Sequence, residues 1–123
     1  MINIGDEELT RPDGSRDEQA FLDAWRRGVS MAGRQFFGDQ TGQGDSKWDL
    51  APRVQDIEGR IGVLSSTEAT FLAALVCFYN DRIGGQLLEK LHGYPTGPVA
   101  ITAGLDPSRR RVIADLFLSY PGW

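Results

Sequence analysis

Ser65-Ser66-Thr67-Glu68-Ala69-Thr70-Phe71-Leu72-Ala73-Ala74-Leu75-Val76-Cys77-Phe78-Tyr79 is the stretch that decides the fold. It opens on a capping box, with Ser65 at the N-cap and Glu68 three residues later. From Ala69 to Tyr79 the only polar side chain is Thr70. A helix that is apolar on all sides is a buried one. A strand is excluded by the length and by the run of Ala and Leu. Residues 65–79 therefore predict a central helix around which the rest of the chain packs. Asn80 and Asp81 mark its end, and Gly84-Gly85 predicts a chain break before a short helix over Gln86–His92, stopped by Gly93.

Outward toward the N-terminus, Ser15-Arg16-Asp17-Glu18 is another capping box. Phe21, Trp25, Val29, Ala32 and Phe36 follow at helical spacing, which predicts a helix running to Gly38. Gly28 and Gly33 weaken it, or let another helix approach closely. Residues 38–46, with three glycines and no large apolar side chain, read as a loop. Trp48 and Leu50 are expected to fold back onto the core, and Pro52 to open a short helix with Val54, Ile57 and Ile61 on one face.

Outward toward the C-terminus, Tyr94–Pro98 reads as a rigid connector and Val99–Leu105 as one or two helical turns with Pro98 at the start. Asp106-Pro107 is a helix start, with Asp capping and Pro in the first turn. Val112, Ile113, Leu116, Phe117 and Tyr120 form the apolar stripe of that last helix. The fold class is thus mainly α: a compact bundle of four to six helices around a buried central one. Residues 1–14 read as an acidic leader and 15–123 as a single helical domain.

A chain of 123 residues can bury a core without disulfides or metal. Hydrophobic content of 41% and charged content of 24% suit a globular domain. No apolar run approaches the length of a membrane span, and the first residues lack a basic and an apolar region, so neither a membrane partner nor a secretory signal is expected. The single cysteine, Cys77, reads as a buried hydrophobe, and the reading places the protein in the cytoplasm.

The net charge of −4 is concentrated in residues 1–20, which hold six acids against two bases. The rest of the chain is balanced, which argues against direct nucleic-acid binding. Metal and catalytic motifs are missing too. One Cys and one His exclude a zinc set. Asp39, Asp45 and Asp49 lack calcium-loop spacing. The glycine loop lacks P-loop spacing. His92 reads as a cation at a helix C-terminus. No cofactor and no catalytic residue are expected.

Arg109-Arg110-Arg111 stands out. Three cations lie in the first turn and a half of the last helix, where the macrodipole disfavours them. They need compensation, from acids within the chain or from an acidic partner. Arg26-Arg27 is a second basic doublet. Trp48, Tyr94 and Trp123 lie at the margins of the patterned helices, and Trp, Tyr and Arg are enriched at binding hot spots. The candidate partner-binding residues are Arg109, Arg110, Arg111, Glu7, Glu8 and Trp123.

Ser66, Ala69, Phe71-Leu72, Leu75 and Phe78-Tyr79-Asn80, followed by Gly84-Gly85 and Leu87, resemble a domain of unknown function found in small proteins of proteobacterial integrative elements and plasmids. The resemblance covers about a quarter of the chain. It implies an accessory gene on mobile DNA and supplies no catalytic residues. By analogy with small anti-CRISPR proteins, the expected function is non-catalytic binding to a host protein or nucleoprotein complex, inhibiting host defence by occlusion. The alternatives are a structural or oligomerisation accessory in conjugation or DNA maintenance, with a homodimer as one form, and a small enzyme using Asp39, Asp45 or His92.

Overall fold

The computed structural model describes residues 15–38 and 46–123, the side chains of Ser15 and Arg16 excepted. The acidic leader and residues 39–45 of the glycine loop lie outside the described residues, and with them the Ser15 capping box. Six α-helices make up the fold: α1 (Ser15–Ala32), α2 (Val54–Arg60), α3 (Ser66–Tyr79), α4 (Asp81–His92), α5 (Pro98–Ala103) and α6 (Pro107–Ser119). Short 3-10 turns at Arg34–Phe36, Lys47–Leu50 and Ile61–Val63 join them. Among the described residues no strand forms, only one isolated bridge between Phe37 and Pro52.

The central helix α3 follows from its sequence. The Ser65 hydroxyl accepts from the Glu68 N–H at 3.2 Å, and the Glu68 carboxylate accepts from the Ser65 N–H at 3.1 Å. This reciprocal pairing satisfies two of the N–H groups that a helix start leaves unpaired. Phe71, Leu72, Ala73, Leu75 and Val76 are fully buried. Asn80 ends α3 and begins α4, its side-chain oxygen accepting from the Ile83 N–H. The two helices therefore fold back on each other around one residue.

Gly84-Gly85 does not break the chain. Helix α4 runs through both and stops at Gly93. Gly84 is a contact point rather than punctuation. A Cβ there would lie 2.5 Å from both the N and the Sγ of Cys77. Only a residue without a side chain lets α4 come this close to α3.

Helix α1 also ends differently from the expectation. It stops at Ala32 rather than at Gly38, because Gly33 takes φ 121°, a conformation that L side chains rarely adopt. The chain then turns so that Phe36 and Phe37 enter the core from a 3-10 turn and the bridge to Pro52. Pro52 is thus held in that bridge, and α2 begins two residues later. Leu50 folds back as expected and its carbonyl accepts from the indole N–H of buried Trp25 at 2.9 Å. Trp48, expected beside it, remains 60% exposed.

Helix α1 packs mainly along α6 and also against α3. Gly28 sits at that junction, a Cβ there falling 3.1 Å from Leu75 and 3.3 Å from Val112. On α6 the buried face holds Val112, Ile113, Leu116 and Ser119. Phe117 and Tyr120, expected in the buried stripe, are largely exposed. Helical phase explains Phe117, which lies one residue past Leu116, about 100° around the helix from it, whereas Tyr120 follows the helix as its extended C-cap.

Candidate partner-binding site

The arginine triplet has three separate fates. Asp106 caps α6 by accepting from the Arg109 N–H at 2.8 Å, and its other oxygen pairs with the Arg109 guanidinium. That guanidinium lies 5.6 Å from the centroid of the Phe71 ring, a cation–π contact. The side chain is only 21% exposed. Arg109 is therefore engaged inside the fold.

Arg110 turns back toward α5. Its Nε donates to the carbonyls of Thr102 at 2.8 Å and Leu105 at 2.9 Å. These carbonyls belong to the end of α5 and the connector after it, where a cation is favourable. The compensation that the sequence called for is thus internal for two of the three.

Arg111 is exposed and has no described partner. With Arg26 and Arg27 of α1 it lines a shallow groove between α1 and α6, together with Ser30 and Ser108 and with Met31 and Val112 on its apolar side. Arg27 is tied to Asp115 of α6 at 2.8 Å. The Arg26-Arg27 doublet and one arginine of the triplet are thus brought together because α1 and α6 pack side by side. The arrangement offers charge-assisted hydrogen bonds to carboxylate or phosphate oxygens.

Trp123 is placed away from that groove. Its ring meets those of Phe21, Trp25, Trp48 and Tyr79 at centroid distances of 4.8–6.0 Å. It is partly buried and packs against the core of the described fold. Glu7 and Glu8 lie outside the described residues.

Sequence reading missed the residue that organises this aromatic cluster. Lys47 is 7% exposed. Its Nζ donates to both carboxylate oxygens of Glu18, at 3.2 and 3.3 Å, and to the carbonyl of Gly122. It also stands 5.6–5.8 Å from the centroids of Phe21, Trp48 and Trp123. A lysine in a Gly-Asp-Ser-Lys loop carries no sequence signal of this burial.

A second concavity of about 440 Å³ opens among α3, α4, α5 and α6. It is largely apolar, with Cys77, Phe78, Leu88, Ile101 and Phe117 among its lining residues. Cys77 is only half-buried, not fully as expected. Burial, with a smaller contribution from the Asp81 carboxylate, pushes its thiol up to about 11, which disfavours the nucleophilic thiolate at neutral pH. His92 meets the hydroxyl of buried Thr70 at 3.3 Å. Asp39 and Asp45 lie outside the described residues. Among the described residues no group of His, Cys, Asp and Glu is arranged to hold a metal ion. None of the helices described is long and apolar enough to cross a membrane.

Comparison with protein-family profiles, with curated proteins and with solved structures yields no match.

Proposed function

We propose that the protein is a non-catalytic binding protein that docks on an acidic surface of a host protein or nucleoprotein complex and occludes it. The observation that carries this reading is the groove in which Arg111 joins Arg26 and Arg27. A chain with net charge −4 gathers three guanidinium groups on one face, and one of them has no described counter-ion. Arg is the residue type suited to bidentate recognition of carboxylates. The mobile-element resemblance of the central segment supports a host defence complex as the target, with anti-CRISPR-type inhibition as the sharpest form.

A second reading, a structural or oligomerisation accessory, draws support from Phe117 and Leu118, which stand 64% and 84% exposed on α6.

The test is capture from host lysate on immobilised protein. A partner recovered in stoichiometric amount, whose binding falls about tenfold or more with Arg26→Glu and Arg111→Glu together, supports the reading. Unchanged capture by this variant, with native helicity retained, rejects the groove. Recovery of no stoichiometric partner rejects the function.

A further inference from the structure

We infer that the groove of Arg26, Arg27 and Arg111 is the docking site of the chain's own acidic leader, which a partner has to displace. Residues 1–14 hold four acids against one base, and so carry three of the four net negative charges of the chain. Three of those acids are consecutive, Asp6-Glu7-Glu8, with Ile4 and Leu9 on either side of them. The groove is their complement: three guanidinium groups beside the apolar surface of Met31 and Val112. Its described lining holds no acid.

Chain length decides which acids arrive. Helices α1 and α6 run antiparallel, since Lys47 joins Glu18 to Gly122 while Arg27 meets Asp115. Arg26 and Arg27 stand about 17 and 18 Å along the α1 axis from Ser15, at 1.5 Å per residue. Arg111 precedes Asp115 by one turn of α6, which puts it about 6 Å farther from Ser15. The target therefore spans about 17–24 Å from the start of α1. An extended chain covers about 3.3–3.6 Å per residue at most. Glu8, Glu7 and Asp6 thus reach up to about 23–32 Å from Ser15, enough for the axial distance and the step sideways into the groove. Asp13 reaches only about 7 Å and is excluded. The acids that fit are the consecutive three.

The guanidinium groups keep donors for this contact. Arg27 bonds Asp115 through one nitrogen of a group with five N–H donors. Arg111 is exposed in the early turns of α6, where the helix dipole disfavours a cation and an anionic neighbour relieves it. Exposed ion pairs are weak singly. A tether this short raises the effective concentration to about the millimolar range, so several weak pairs suffice for occupancy in cis. A partner that offers carboxylates to the groove then competes with the leader. This competition rests on the proposed partner binding, whereas the occupancy does not.

Zero-length crosslinking of the full chain tests it. Arg111→Lys keeps the charge and supplies an amine that a water-soluble carbodiimide joins to an adjacent carboxylate, forming an amide with loss of one water. Exposed Lys90 on α4 is the native control. The expected product is a monomer linked from position 111 to Asp6, Glu7 or Glu8, in at least about fivefold higher yield than Lys90 linked to the same acids, and falling with added salt as exposed ion pairs do. No such link, or a yield equal to that of Lys90, overturns the inference. A link formed only between two copies, or one from Asp39 or Asp45 instead, also overturns it by assigning the groove another occupant. The triple variant Asp6→Asn, Glu7→Gln, Glu8→Gln is expected to bind a captured partner about twofold to tenfold more tightly. Unchanged affinity overturns the displacement. Circular dichroism checks that both variants keep their helicity. The crosslink needs no partner, so failure to recover one rejects the proposed function while position 111 still decides the occupancy.

Discussion

Lys47 holds the segment around Trp123 from two directions: its Nζ donates to the Gly122 carbonyl and stands 5.7 Å from the Trp123 ring centroid. The same ammonium reaches Glu18 near the start of α1. One side chain thus ties together three segments far apart in sequence. Hydrogen bonds to charged groups contribute more than neutral ones, and a carbonyl left unpaired in a covered site is penalised.

Lys47→Met keeps the apolar stem and removes the charge, so a loss of about 1–2 kcal/mol in unfolding free energy is expected. Lys47→Ala should lose about 1 kcal/mol more, through the missing stem. Urea denaturation followed by tryptophan fluorescence measures both. A red-shifted native emission should accompany the loss, because Trp48 and Trp123 gain water.

The two adjacent glycines of α4 should respond with opposite signs. Gly84→Ala drives a Cβ onto the backbone of Cys77 and is expected to destabilise by about 1–3 kcal/mol or more. Gly85→Ala meets nothing within 4 Å and should stabilise by about 0.5–1 kcal/mol, as expected for a helix-interior glycine replaced by alanine. Denaturation midpoints at equal m-value decide this. Equal effects from the two would refute the close approach of α3 and α4.

Two helix starts set the acid response. Hydrogen bonds from the Ser65 backbone N–H and hydroxyl hold the Glu68 carboxyl below its ordinary range, and the Arg109 backbone N–H chiefly does the same for Asp106. A carboxyl whose folded pKa is depressed stabilises the fold above its unfolded pKa, and that contribution is lost as pH falls through the folded value. Stability should therefore decline from about pH 5 downward. The double variant Glu68→Gln, Asp106→Asn should start less stable at neutral pH and show a flatter decline. Urea midpoints from pH 7 to pH 2 measure it, and an unchanged slope would remove these caps from the account.

Where the decisive forces act within a few residues, the fold was legible in the sequence. Ser65 with Glu68, and Asp106 before Pro107, announce helix starts through local hydrogen bonds that spacing alone specifies. The unbroken apolar run of α3 announces burial. Gly84 was misread because its reason lies on another helix, at Cys77. The arginine triplet was legible as an electrostatic anomaly, but not in its resolution. Neighbours in sequence point about 100° apart on a helix. Arg109 thus meets Asp106 and Phe71, Arg110 meets the carbonyls after α5, and only Arg111 joins the groove. Lys47 was invisible, since its burial depends on three aromatic rings from separate segments.

The one-residue corner at Asn80 has a kinetic consequence. Helices α3 and α4 pack extensively on each other with no intervening loop to close. The entropy of bringing them together is small, and contacts near in sequence form early. The Lys47 clasp, whose partners lie 29 and 75 residues away, requires the long closures. The helical hairpin is therefore the natural nucleus, and the clasp sets the seal on a bundle already assembled around it.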